Sequence, residues 1–229
     1  MNHYDSNLSA LLKTFPSFSE EILRKRGDDT ELSVSLSRSG LPTASRDGIF
    51  LHSRFDPNRE AQQLIDSVAT TGCTVFFGFG LGYYVEALQR RSPSETIVII
   101  EPNPDTLRAA LGAKDLLNLL ASENLTFLLD VEPDGVTAFL SSMPPAPFAV
   151  VAPRSLTRQN EEYFSQLKVT IDSLEARRAI NMNTLNRFGR RWIRNLVSNL
   201  RMLPAAKPLS SLVGRHVGTP ALLVAAGPS

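Results

Sequence analysis

What most restricts the fold of this chain is a strand, a glycine-rich turn and a helix in immediate succession, followed by a second strand that ends in an acid. Cys73 opens an apolar run, Thr74 to Phe77, that leads straight into Gly78-Phe79-Gly80-Leu81-Gly82. The spacing beyond predicts a helix to about Arg91, and then Ile97 to Ile100 forms a second apolar run closed by Glu101-Pro102-Asn103-Pro104. Strands without polar alternation are covered on both faces, which is the property of a parallel sheet flanked by helices. The rhythm continues with a helix over Asp105 to Leu111 and a strand over Leu125 to Leu129 ending at Asp130. A helix over Pro133 to Leu140 and a strand over Phe148 to Ala152, closed by Pro153, complete it. The expected fold class is α/β, with a Rossmann-like parallel sheet and helices on both faces over residues 59–153.

A small α+β unit is expected over residues 1–58. Ser6 to Lys13 and Phe18 to Arg26 have helical spacing, separated by Pro16. Leu32, Val34 and Leu36 alternate with polar residues, the period-2 pattern of a half-buried strand. Gly40, Pro42, Asp47 and Gly48 then punctuate a turn before a second short strand, Ile49 to His52, which reads as a hairpin. A helix from about Arg59 to Ala69 follows. Residues 154–208 read as a helical connector, helical from Leu156 to about Met202. Residues 209–229 read as the first strand, Pro220 to Ala226, and the first loop of a second α/β domain that the chain does not complete.

The glycine turn carries the chemistry. Glycines between a strand and a helix let the backbone turn tightly and let an anion approach the free N–H groups of the helix N-terminus. Glu101 stands 23 residues after Gly78 at the carboxyl end of the next strand, where a carboxylate can accept hydrogen bonds from ribose hydroxyls. Asp130 ends the third strand in a comparable place. Gly78, Gly80, Gly82, Glu101 and Asp130 are therefore the candidate ligand-binding residues. The third glycine of a dinucleotide fingerprint would fall at position 83, which is Tyr83. The G-x-G-x-G spacing is instead similar to S-adenosylmethionine-dependent methyltransferases, although Phe76 occupies the place where those enzymes carry an acid. A glycine turn that only packs helix on strand, with no ligand, remains the other reading. No cofactor is identifiable.

Charge divides the chain. A formal net charge of +1 conceals 23 acids, all at or before Glu175, which with 15 Lys and Arg give residues 1–175 a charge of −8. Residues 176–229 hold nine Lys or Arg and no acid. At about 100° per residue, Arg187, Arg190, Arg191, Arg194 and Arg201 fall on one side of a helix. Leu185, Phe188, Trp192, Leu196, Leu200 and Leu203 fall on the other, so Trp192 reads as core. Arg187, Arg191 and Arg194 are candidates for contact with an anion. The stripe is compatible with a solvated face, with docking onto the acidic body or with an anionic ligand. The −8 body argues against nucleic acid.

Other classes of function find little support. The single cysteine, Cys73, rules out a disulfide framework and points to a reducing, cytoplasmic setting. His3, His52 and His216 are too scattered to suggest a metal site. No apolar run approaches the roughly 20 residues of a membrane span, so no membrane partner is expected.

Several stretches together resemble a known family. Leu51-His52-Ser53-Arg54-Phe55-Asp56-Pro57, Glu60-Ala61, Phe77 to Tyr83 and Ile99-Ile100-Glu101-Pro102 resemble the N-terminal half of the motility-associated factor (Maf) proteins. These are bacterial flagellin glycosyltransferases grouped with archaeal 6-hydroxymethylpterin diphosphokinase-like (MptE-like) proteins. Asn183-Thr184-Leu185, Trp192, Asn195 and Asn199 resemble that family's interdomain helix, and Pro220 to Ser229 the opening of its central domain. The resemblance implies transfer of a nonulosonic acid from a CMP-activated donor to Ser or Thr of flagellin, or pyrophosphoryl transfer from ATP in the pterin branch. The catalytic machinery it implies belongs to the central domain, so no catalytic residue is assigned. Gly227 and Ser229 match the start of that domain's nucleotide loop.

Overall fold

The computed structural model describes residues 3–16, 18, 32–144, 146–205, 208–215, 217–220 and 222. Gly227, Ser229, most of the strand expected at Pro220 to Ala226 and nearly all of the helix expected at Phe18 to Arg26 lie outside them. Met1–Ala179 gathers into one compact unit and Ile180–Ser229 into another.

The first unit is built on four parallel strands: β4 (Cys73–Phe77), β5 (Thr96–Glu101), β6 (Leu125–Leu129) and β7 (Ala149–Val151). Their order is β6-β5-β4-β7. The chain steps from β4 outward to β5 and β6, then crosses back to set β7 on the other side of β4. The carboxyl ends of β4 and β7 therefore flank the topological switch point at which open α/β sheets build their ligand crevices. The Rossmann-like α/β class expected from the sequence is the one observed.

The unbroken apolar strands are explained by two cores. Side chains alternate along a strand, so Val75 and Phe77 face one way and Phe76 the other. Val75, Phe77, Val98 and Ile100 pack with Val136 and Leu140 of a helix over Pro133–Ser142, and with Phe164, Leu167, Ile171 and Leu174 of the long helix Glu161–Leu200. Phe76, Ile97, Ile99, Phe127 and Leu129 meet the opposite layer, which includes α1 (Tyr4–Thr14), α2 (Pro57–Asp66), α3 (Tyr83–Arg91) and α4 (Pro104–Ala113). Local sequence sets where the helices begin. Asp56 and Asn103 accept from Arg59 N and Asp105 N, each followed by a proline at the first helical position.

Asn7 fastens α1 to this layer. It is fully buried, donates to the carbonyls of Leu111 and Lys114 at 2.8 Å each, and accepts from Leu116 N at 3.0 Å. One amide thus uses both donors and its acceptor, as burial of such a group demands.

The expected hairpin is a three-stranded antiparallel sheet. β1 (Ser33–Leu36) pairs with β2 (Pro42–Arg46), which pairs with β3 (Ile49–Phe50). The stretch read as one long turn is itself the middle strand. Asp47 and Gly48 both have positive φ, 50° and 75°, the geometry of a tight two-residue hairpin turn. Nor is β1 half-buried as its alternation suggested: all four of its residues are exposed, Leu36 by 73%. Helix α2 starts at Pro57 and ends at Asp66, two residues earlier and three residues earlier than the pattern implied.

A four-residue helix (Arg154–Thr157) and a 3₁₀ turn lead into the helix Glu161–Leu200. In the second unit most of its apolar residues are exposed, with Phe188 half-buried. Trp192, expected in the core, is 49% exposed and stacks only on Phe188 among the described residues, at 6.2 Å. The amphipathic period was read correctly, but a period does not supply a covering element.

These contrasts predict unequal mutational costs. Leu167→Ala opens a cavity under the sheet and should cost about 2–5 kcal/mol, whereas Trp192→Ala should cost less than about 1 kcal/mol. Urea unfolding followed by circular dichroism measures both, and equal costs would contradict the packing.

Candidate functional site

The glycine turn expected to bind a ligand lies where the sequence put it, between β4 and α3. Its amide groups, however, all point to acceptors within the protein. Gly78 N donates to Ile100 O at 2.8 Å, continuing the sheet ladder, and Gly82 N donates to Phe79 O at 3.0 Å. Phe79 N donates to Glu101 Oε2 at 2.9 Å, and Gly80 N also bonds to the Glu101 carboxyl group. Leu81 N donates to His52 Nε2 at 2.9 Å.

The space beside the turn is filled as well. A Cβ on Gly78 would lie 2.9 Å from Leu156 Cβ, and one on Gly80 would run into His52 Nε2 while lying 2.9 Å from Leu156 Cδ2. Both glycines have positive φ, 86° and 56°. Glycine is thus required twice over, by backbone conformation and by the close approach of two side chains. Gly82, at φ 85°, precedes α3 and is approached by the Phe79 ring. Leu156 belongs to the short helix that follows β7, so the element after the crossover strand closes the switch-point crevice from its own side.

Glu101 and His52 form the polar centre of this arrangement. Glu101 is 4% exposed, and its second oxygen accepts from Asn103 N at 3.0 Å. Burial pushes its carboxyl from an ordinary value of 4.5 up to about 7, while the amides of Phe79, Asn103 and Gly80 and the charge of Arg46 pull in the opposite direction. His52 is fully buried, and burial together with the charge of Lys114 brings it down to about 3. The ring is neutral, and because Nε2 accepts from Leu81 N the proton sits on Nδ1. That nitrogen stands 3.8 Å from Glu60 Oε2, beyond hydrogen-bond reach, and has no partner. The ring packs edge-on against Tyr83 at 5.1 Å and tilted against Tyr84 at 5.2 Å.

Of the residues singled out by sequence, Gly78, Gly80, Gly82 and Glu101 come together. Asp130 is exposed at the end of β6, with φ 54°, and its N–H donates to Glu101 O at 3.0 Å. Arg187, Arg191 and Arg194 are exposed on the helix of the second unit. His52, Leu156 and Arg46 carry the site and were not anticipated. His52 lies within the first run of the family resemblance, the one signal that could have singled it out. Arg46 gave none: it is 7% exposed, and its Nε and Nη2 have no acceptor. Among the described residues no three His, Cys, Asp or Glu gather as metal ligands.

The Glu101 shift sets a pH dependence. A carboxyl raised on folding contributes stability that is complete below its unfolded value of 4.5 and is lost as pH rises through about 7. Glu101→Gln, which resembles the protonated group, should therefore gain on the wild type as pH rises from 4.5 to 7 and hold that gain above. Thermal melts across this range measure the difference, and a gap that does not change with pH would refute the assignment.

Residues 50–144 match the family described as the glycosyltransferase Maf N-terminal domain. An uncharacterized protein of Treponema pallidum (strain Nichols) is 29% identical over 214 residues, covering 91% of this chain and 73% of that protein. The matched segment runs from β3 through α2, the glycine turn and Glu101 to the helix after β6, so it contains His52 as well as the loop. Over residues 50–144 this chain is thus similar to the N-terminal domain of the Maf glycosyltransferases.

Proposed function

We propose that this chain serves a Maf-type glycosyltransferase as its non-catalytic N-terminal portion, with a nucleotide-like fold whose glycine turn is sealed by the protein itself. The observation that carries this reading is the complete use of the five amides of Gly78 to Gly82 by Ile100, Glu101, His52 and Phe79. A phosphate or a ribose needs those donors, or the Glu101 oxygens, and both sets are already paired. A methyl-donor site gains no support either, since Phe76 is fully buried in the strand before the turn.

The transfer of a nonulosonic acid from a CMP-sugar to flagellin Ser or Thr, which the family resemblance implies, is assigned to other parts of such a protein. Within it, residues 50–144 act as a scaffold that presents surfaces to flagellin or to neighbouring domains.

Calorimetry tests the sealed turn. Titration of the chain with S-adenosylmethionine, CMP or ATP should give no heat of binding, and incubation with a CMP-nonulosonic acid should give no turnover. Binding abolished by Glu101→Ala would overturn the proposal, as would turnover lost on substitution within residues 59–153.

A further inference from the structure

The helix of the second unit has two unlike halves, and both are open to solvent. At about 100° per residue, Leu185, Trp192, Ile193, Leu196, Val197 and Leu200 occupy one half, each between 49% and 65% exposed. The other half carries Arg187, Arg190, Arg191 and Arg194, all exposed, with asparagine and serine between them. Arg190 and Arg191 fall toward opposite edges of the basic half. Residues 180–229 contain seven Lys or Arg and no acid.

We propose that residues 185–200 bind an anionic lipid surface, lying in its plane with the apolar half in the acyl boundary and the arginines at the headgroups. This is independent of the role proposed for the first unit. It departs from the expectation of no membrane partner, which rested on the lack of a span. No helix among the described residues is long and apolar enough to cross a membrane, and in-plane binding requires none. An apolar face with tryptophan, opposite a face of like positive charge, is the composition that partitions into a charged interface. Arginines at its edges reach outward to headgroups while their stems stay on the apolar side.

Charge distinguishes this occupant from a second copy of the chain. A helix pair needs only the apolar half, and the flanks of such seams normally carry both signs, which fixes pairing. A solvated face also mixes signs for support along the helix. A polar half with arginines and no acid serves neither purpose, but it complements a surface of one negative sign.

Trp192 is the chain's single tryptophan and reports directly on the apolar half. The full chain should float with vesicles of phosphatidylcholine and phosphatidylglycerol, with a blue shift of Trp192 emission, and should not float with phosphatidylcholine alone. Replacing Arg187, Arg190, Arg191 and Arg194 together by glutamine should weaken binding several hundredfold, at about fivefold per arginine. Leu196→Gln should remove the blue shift while leaving helicity unchanged. Equal binding to neutral vesicles, or no binding to charged ones, overturns the proposal. So does a blue shift without lipid that follows protein concentration and accompanies a dimer in sedimentation, which would assign the face to a second copy.

Discussion

The carboxylate of Glu101 governs the centre of the first unit. It is carried into the interior at the end of β5 and can be held there only by donors that replace water. The donors are backbone amides of the turn after the neighbouring strand, at Phe79 and Gly80, together with Asn103 N at the start of its own following helix. The turn is thereby bent inward onto the acid. His52, arriving from the small antiparallel sheet, takes the next amide, that of Leu81. Once those bonds exist, Leu156 can lie directly on Gly78 and Gly80. A neutral histidine and an acid raised toward neutrality also respond to pH in opposite senses. The histidine contributes stability above its unfolded value of 6.5, which is lost as pH falls toward 3, and the acid contributes stability that is lost as pH rises toward 7. The pair is therefore best balanced between those limits.

The same glycine spacing thus carries two meanings, and geometry separates them. In a nucleotide site, glycines at alternate positions make room for a phosphate and aim free amides at it. Here the room beside Gly78 and Gly80 belongs to Leu156 and His52, and the amides belong to Glu101 and His52. The glycine pattern follows from the backbone conformation, with φ of 86° and 56° at the two glycines. A fold can retain the signature of binding while its own side chains fulfil the requirements that a ligand would otherwise meet.

That distinction explains what was legible in the sequence. The continuous apolar runs at 73–77 and 97–100 identified a buried parallel sheet because nothing else accommodates them on both faces. The caps Asp56 and Asn103 and their prolines set two helix starts at Pro57 and Pro104, two residues and one residue before the expected Arg59 and Asp105. The middle strand of the antiparallel sheet was hidden because Pro42 and Ala44 are poor strand formers and only Thr43 favours a strand, so that pairing on both edges is what makes it one. The sealing of the turn was hidden for a deeper reason. His52 and Leu156 lie far from Gly80 in the chain, on either side of the sheet-forming segment, and no local pattern records their convergence.

The long helix shows where periodicity stops informing. Over residues 161–174 its apolar residues Phe164, Leu167, Ile171 and Leu174 are buried against the sheet, and that burial stabilises the helix. Beyond Ile180 the period continues unchanged while the side chains stand exposed. The packed half supplies the nucleus, so the second half extends at the modest cost of propagation. Gly189 adds about 1 kcal/mol against it, and no acid is present to pair with the arginines. A segment with so little of its own to stabilise it, and with so large an apolar face, draws its stability from whatever covers that face. The basic half then specifies the covering surface, because an acid-free stripe in water gains nothing from itself and gains most beside negative charge.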